Sequence, residues 1–553
     1  MLGSHEGAGL APDVSRILVL GGYGGFGARV SAALAREDHH VVVAGRSLDK
    51  ACSFCADKPG LFPAVVDRDA VAAALALHRP DLLVDATGPF QSMTYDVPAA
   101  CIAARVHYLD IADARAFVCG IGALDAQAKA AGIVVLSGGS SVPALSGAAV
   151  RALAVGMECI ATVDLAISAS NRAAAGPAVT AAILTQVGQP MRLWHGGRWK
   201  TVYGWQDART IRFDVAGVPP IESRRVALVD VPDCALLPER LGGAAVTFRA
   251  GTESRLQNSV LALASWIVRW RWLRSLEPFA GTLTRMQRLL RRLGGDTSAM
   301  SVVVRGLAAG ARVERRWTLI ARAGDGPEIP AMAVAPLVRR VLRGAEAPGA
   351  RDAGESLTLA DYEPGFARLA IDHEIRMRPL GPPLYARVMG ERFAVLPSTV
   401  RAMHGTLGDG AATGRATVTG AANPLGRLIA RVVGFPPAGE HALRVVFEEN
   451  ENEEAWTRHF GSTRLRSRMR ARGSRLVERF GPLHFTFDLA SEANGLRMDM
   501  TGWSLGPLSL PLILAPRTRA REWEENGRFR FDVAIALPIV GCIVRYRGWL
   551  ERG

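Results

Sequence analysis

Cysteine is scarce in this 553-residue sequence, with seven in all, and no second Cys or His pair stands near Cys52-Ser53-Phe54-Cys55 to complete a zinc site. That excludes a disulfide-stapled fold and a zinc ribbon, so no metal is expected. No secretory signal precedes Ile17, and unpaired thiols are therefore expected in a reducing, cytoplasmic compartment. Long hydrophobic runs are also missing. Although 49% of the residues are hydrophobic, no uninterrupted stretch is long enough to span a bilayer. The formal charge of +14 comes without a zinc finger, recognition helix or aromatic RNA motif, so nucleic acid is not an expected partner. At this length two or three domains with ample core are expected.

The most informative feature present is the junction of the apolar run Ile17 to Leu20 with Gly22-Tyr23-Gly24-Gly25-Phe26-Gly27. A strand, a glycine turn and a helix in that order form a dinucleotide site. The first glycine allows the tight turn, the second lets backbone approach a pyrophosphate, and the third lets the helix pack closely. Amides at the helix N-terminus then face the anion. A helix over Ala28 to Arg36 and a second strand over His40 to Gly45 complete the βαβ unit. An NAD site usually ends that second strand with an acid on the ribose. Here the chain has Arg46 and Ser47, with Lys50 one turn later, which suits the 2′-phosphate of NADP. Asp67, closing the run Leu61 to Val66, either contacts the adenine or caps the next helix. Further alternation through Asp81 to Gly88, His107 to Ala112 and Ile133 to Ser137 gives about six short, nearly all-apolar strands, as a doubly wound parallel sheet requires. Its ligands bind at the loops starting at Gly22, Arg46, Gly88, Asp110 and Gly138.

Gly22 to Gly27, Val42-Val43-Ala44-Gly45-Arg46-Ser47, Asp85-Ala86-Thr87-Gly88-Pro89-Phe90, Cys101 and His107-Tyr108-Leu109-Asp110 together resemble the saccharopine dehydrogenase-like NADP-binding family over about the first 150 residues. The resemblance implies a Rossmann domain, NADP(H), and an oxidoreductase acting on a C=N, C=C or amine group. It adds Thr87, Gly88 and Pro89 to the expected cofactor contacts. Relatives commonly carry Gly-Glu where this chain has Asp113-Ala114, which argues against an amino-acid substrate. Residues about 384 to 551, marked by Glu454 to Phe460, Phe480-Gly481-Pro482, Pro507 to Pro516 and Tyr546 to Leu550, resemble a C-terminal family of unknown function fused to such proteins. No Tyr-x-x-x-Lys occurs, which argues against the proton relay of short-chain dehydrogenases. Tyr95, Asp110 and Asp113 are the catalytic candidates at the sheet edge, without an assigned general acid.

Four segments are expected: an NADP-binding Rossmann domain over 14–158, an α+β substrate domain with a return helix over 159–343, a linker over 344–383, and a mostly antiparallel β domain over 384–551. In the second segment Arg172 either faces an anionic group or is an ordinary loop arginine. Between 260 and 293, Trp266, Trp270 and Trp272 alternate with Arg269, Arg271 and Arg274, and an apolar stripe follows beside Arg285, Arg288, Arg291 and Arg292. Such helices either pack their stripes on the body or lie peripherally on an anionic cytoplasmic membrane face, and periodicity alone does not separate the two.

In the last segment two turns are expected to form hairpins of type I′, at Asn494-Gly495 and Asn526-Gly527. The first register sets Leu489 against Met500. The second sets Glu522 against Phe531 and Glu524 against Phe529, pointing two carboxylates at an apolar face. Either one of them lines a polar spot in a ligand pocket or a bulge returns them to water. The domain is expected to be a curved sheet or partial barrel able to enclose an apolar ligand. Two functions follow: an NADP(H)-dependent oxidoreductase acting by hydride transfer on a hydrophobic or lipid-like small molecule, or a non-catalytic NADP-binding protein with a ligand- or partner-binding C-terminal domain.

Overall fold

The computed structural model describes residues 14–171, 177–281, 294–450 and 453–552. Seven parallel strands form the first sheet, in the spatial order Gly349–Asp352, Val134–Ser137, His107–Asp110, Leu82–Asp85, Arg16–Leu20, His40–Gly45, Leu61–Val65. Alternate residues of the central strands feed two separate cores. Ile17, Val19, Val41, Val43, Leu82 and Val84 join one cluster, and Leu18, Leu20, Val42, Ala44 and Leu83 the other. Burial on both faces is what makes these strands apolar throughout.

The seventh strand corrects the expected linker. Residues 344–383 contain Gly349–Asp352, which pairs with Val134–Ser137, and Ile371–Pro379, which borders the second sheet. Both are edge strands. The first, which begins at Gly349 with φ +136°, is only four residues long; the second alternates Ile371, Ile375 and Met377 with charged residues, but Ile375 and Met377 are exposed, so the strand buries little.

The middle domain has a seven-stranded sheet ordered Arg209–Phe213, Ile221–Leu228, Ala245–Thr252, Cys159–Ala169, Ser298–Ala308, Ala311–Ala321, Ile371–Pro379. It is antiparallel except where Ala245–Thr252 lies parallel to Cys159–Ala169. The return helix, Val334–Leu342, packs against the helix Gly27–Ala35 and the strand His107–Asp110. The helix Arg255–Arg269 turns its polar Asn258 and Ser265 inward, together with Leu261 and Val268. Leu256, Val260, Leu263, Trp266 and Trp270 lie exposed along its outer side, followed by Trp272. Arg172, and the residues of the second basic stripe from Leu283 to Leu293, lie outside the described residues.

The C-terminal domain is a closed antiparallel barrel of ten strands, each beside its successor from Asp409–Gly420 to Gly541–Arg552, with the last returning to the first. The Asn526-Gly527 hairpin has the expected register, Glu522 opposite Phe531 and Glu524 opposite Phe529, with both turn residues at positive φ. The other hairpin is slipped by two residues. Leu489 pairs with Met498, and Glu492 with Gly495. Gly495 belongs to the strand because the neighbouring backbone is too close for a side chain: a Cβ there would lie 2.0 Å from the Glu522 carbonyl oxygen. An even slip keeps every side chain on its face, so Leu489, Leu496 and Met498 remain in the core.

The barrel meets the middle domain through the strand ends at Asp409, Glu448 and Glu449. His195 bridges Asp409 Oδ2 at 3.1 Å and Glu448 Oε1 at 3.0 Å, and Arg312 Nη2 donates to Glu449 Oε1 at 2.6 Å. Burial opposes charge on the imidazole, but its hydrogen bonds to the two carboxylates outweigh burial and lift it to about 9. A histidine raised in the folded state adds stability that is complete below its ordinary value of 6.5 and is lost as pH rises through about 9. Protease cleavage between the middle domain and the barrel is therefore expected to accelerate across that interval, and His195→Ala to abolish this pH dependence.

Candidate functional site

The strand order reverses between Arg16–Leu20 and Leu82–Asp85, the place where such sheets bind ligands. Here Gly21, at φ +70°, takes the left-handed turn expected of Gly22, and a Cβ on it would sit 2.9 Å from the Ala86 carbonyl oxygen. Gly22 is instead packed against Val19, Ser31 and Val43, and its carbonyl accepts from Ser31 Oγ at 2.9 Å. Gly27 brings the helix onto the turn: a Cβ there would be 2.1 Å from the Gly21 oxygen. Gly25 differs, because nothing stands within 4 Å of where its Cβ would be. No side chain caps the helix at Phe26, so its first amides border an open cradle, which fits an anion.

Tyr23 closes the cradle toward the second strand. Its ring lies against Gly45, and its hydroxyl accepts from the Ser47 amide at 2.9 Å. Ser47 caps the helix Leu48–Cys55, accepting from the Lys50 amide. Arg46 and Lys50 are exposed beside this turn, with no acid between Gly45 and Leu48. Asp67 accepts from the Asp69 amide at 3.3 Å and caps the turn Arg68–Ala70; adenine contact is not needed to explain it. Sequence reading missed Arg68. Its guanidinium pairs with buried Asp85 and reaches Thr87 Oγ1 at 2.7 Å, and Thr87 Oγ1 donates to Asp85 Oδ1 at 2.5 Å. Arg68 Nη2 is buried without a hydrogen-bond partner, a donor beside the cradle. Only a spatial neighbour 17 positions away, Asp85, reveals it.

The three catalytic candidates separate. Tyr95 donates to the Phe117 carbonyl at 2.8 Å, and burial raises its phenol. Asp110 is fully buried and holds the loops after two strands together. Its Oδ1 accepts from the Gly138 amide at 2.7 Å, the Ala112 amide at 2.9 Å and Ser137 Oγ at 3.0 Å. The Tyr95 hydroxyl and Asp110 Oδ1 are thus committed within the fold, while Asp110 Oδ2 is buried without a hydrogen-bond partner. Asp113 is solvent-accessible, accepts from Gln91 Nε2 at 3.3 Å, and has a carboxyl raised by the protein crowded around it. Nearby, Arg115 ties this edge to the middle domain, donating to Asp230 at 2.8 Å and to the Arg192 carbonyl at 2.7 Å. Gly88, Pro89 and Phe90 line the adjoining loop, with Phe90 buried against Phe117.

Residues 17–136 match the model of the saccharopine dehydrogenase NADP binding domain, and residues 396–550 match that of a domain of unknown function, DUF4166. No curated protein matches. Among solved structures, apo saccharopine dehydrogenase (L-Glu forming) from Saccharomyces cerevisiae is 13% identical, covering 66% of this chain and 100% of that one, with a TM-score of 0.45. Amine dehydrogenase from Mycobacterium smegmatis is 14% identical over 62% of this chain and 95% of that one, with a TM-score of 0.36. GenD2 from gentamicin A biosynthesis, in complex with NAD, is 15% identical over 68% of this chain and 100% of that one, with a TM-score of 0.33.

Burial raises the Asp110 carboxyl to about 7, against three hydrogen bonds that favour its ionised form. Between its ordinary value of 3.8 and about 7 the folded chain then binds more protons than the unfolded one, so this group makes stability fall as pH rises. Asp110→Asn keeps an accepting oxygen and should flatten that slope in urea unfolding. Asp110→Ala, leaving the donors unpaired, should cost about 1–3 kcal/mol or more at every pH.

Proposed function

We propose that the chain is an NADP(H)-dependent oxidoreductase of the saccharopine dehydrogenase-like type, transferring hydride to or from a hydrophobic substrate. The observation that carries this reading is the open cradle at Gly25, at the reversal of the sheet, with Arg46 standing where a ribose-binding acid would exclude a 2′-phosphate. In this reading Gly24 and Gly25 admit the pyrophosphate, Gly22, Tyr23, Phe26 and Gly27 hold the loop in shape, and Arg46, Ser47 and Lys50 receive the 2′-phosphate. Asp67 and Arg68 flank the adenosine end, and Thr87, Gly88 and Pro89 border the nicotinamide end. The bound nucleotide supplies or accepts the hydride.

The chain's own contribution is positioning and one proton. Asp110 fixes the loops on either side of the crevice, Tyr95 braces the loop at Phe117, and Asp113 is the accessible carboxyl with a value shifted toward proton exchange. A hydrophobic substrate accords with the departure at Asp113-Ala114 and with an apolar helix face turned outward at Leu256, Val260, Leu263 and Trp266. Flanked by Arg255, Arg269, Arg271 and Arg274, that face supports peripheral contact of the 260–293 region with an anionic cytoplasmic membrane face. The second reading is a non-catalytic NADP-binding protein. It is favoured by the commitment of Tyr95 and Asp110 to internal hydrogen bonds.

Parallel calorimetric titration with NADPH and NADH tests the proposal. NADPH should bind the more tightly, and Arg46→Ala should weaken NADPH alone by about 1.5–3 kcal/mol. Equal losses for both nucleotides remove the 2′-phosphate role. Gly25→Val enters open space, so it should leave the melting temperature unchanged while abolishing binding of either nucleotide. Asp113→Asn should retain NADPH but stop its acceptor-dependent oxidation, whereas no oxidation by the unaltered protein with any apolar carbonyl or imine acceptor favours the second reading.

A further inference from the structure

The barrel encloses a cavity of about 560 Å³, within the range of sites that hold one small ligand. Its wall is mostly aromatic and aliphatic, including Trp456, Phe460, Phe487, Phe529 and Phe531. One end is closed. The helices Leu384–Met389 and Ser398–His404 bury Leu384, Tyr385, Val388, Val400 and Met403 in the barrel core. The strand ends at Asp409, Glu448 and Glu449 on that side also meet the middle domain.

The opposite end is different in composition. Its five connections, 421–438, 461–462, 481–482, 506–516 and 538–540, contain two charged residues, Arg427 and Arg431, and no acid. The helix Pro424–Val433 in the first of them sends Ile429 and Val433 to the cavity, while Leu428 and Val432 stand exposed. Ile513 is 81% exposed and Ile539 fully exposed on neighbouring connections. Trp503 and Pro516, at the ends of the 506–516 connection, line the cavity beneath. An apolar rim continuous with an apolar cavity, carrying only positive charge, is complementary to an anionic bilayer surface.

Inside, polar groups form a single cluster. Glu522 Oε2 lies 2.5 Å from His404 Nε2, Glu478 is 3.6 Å from Arg458 Nη2, and the charges of Arg458, Glu478 and Glu522 all act on the buried Tyr546 phenol. Glu478 Oε1 is the oxygen that faces Arg458 Nη2 at 3.6 Å, an ion pair too long for a hydrogen bond, and it accepts none. A buried carboxylate oxygen held only by such a long pair keeps room for a donor, which a ligand hydroxyl or amine supplies.

We propose that the barrel binds one single-chain amphiphile, an aliphatic or isoprenoid body ending in a hydroxyl or amine that donates to Glu478, and that it takes up this ligand by seating its open rim on an anionic bilayer. This site is separate from the nucleotide cradle and does not rest on the proposed oxidoreductase activity.

The test uses the full chain and displacement of Nile red by hexadecanol, hexadecylamine, hexadecanoate and hexadecane. The dye should bind once per chain, and the alcohol and amine should displace it at least about tenfold better than the other two, the equivalent of one good hydrogen bond. Glu478→Met, which has no accepting oxygen, should keep dye binding and erase that preference. A variant of three exposed rim positions, Leu512→Ser with Ile513→Ser and Leu514→Ser, should keep its affinity in solution. Its uptake of hexadecanol from phosphatidylcholine–phosphatidylserine vesicles should slow by about tenfold or more. Absence of saturable dye binding, equal displacement by alcohol and alkane, or unimpaired uptake by the rim variant each overturns the proposal. NADPH affinity, measured alongside, should not change in either variant, so failure of the nucleotide reading leaves this result interpretable.

Discussion

The contact between the backbone of Gly21 and the helix starting at Gly27 organises the N-terminal half of the molecule. Any side chain at Gly27 would overlap the Gly21 carbonyl oxygen, so the close approach exists only because two glycines face each other. It seats the helix on the central strand, turns the helix start toward the reversal of strand order, and leaves the open space at Gly25. Arg29 on the same helix then pairs with Glu328 at 2.6 Å. The glycine turn is thereby fastened to the segment that leads into the return helix.

Polar groups elsewhere serve as ties between elements more often than as reagents. Asp110 gathers three donors from two loops, and Arg68 with Asp85 and Thr87 joins the third strand to the fourth. His195 holds the barrel to the middle domain. Each is buried or half-buried and satisfied mainly by groups distant in sequence, which makes the geometry costly to distort. The result is a sheet edge with few free reactive side chains and a barrel in which Glu454 Oε2 and Glu478 Oε1 are buried without a hydrogen bond.

What could be read from the sequence follows from how local each signal is. Strands buried on two faces announce themselves as short apolar runs, and Asn526-Gly527 fixes its hairpin because both residues supply the required positive φ. Gly495 misleads by the same logic. It serves a close approach by a strand nearly thirty residues later, which no local pattern encodes. Gly349–Asp352 escaped notice because an edge strand has little to bury. Arg68 and Glu478 gain their character from partners brought by the fold, and the outward apolar face of Arg255–Arg269 shares its periodicity with a core helix. Tyr95 and Asp110 stood at the expected sheet edge, yet the fold spends the Tyr95 hydroxyl and one Asp110 oxygen on its own backbone and loops.

The seventh strand of the first sheet arrives after six of the seven strands of the middle sheet, at Gly349–Asp352 beside Val134–Ser137. A ribosome adding residues at about 5–20 per second therefore needs roughly 10–40 s to deliver the closing strand after the sixth has emerged. During that interval the edge at Val134–Ser137 is unpaired, and the docking groove for Val334–Leu342 is empty. An N-terminal domain that resembles an autonomous module is thus born incomplete, with an unpaired strand edge until translation has passed the return segment.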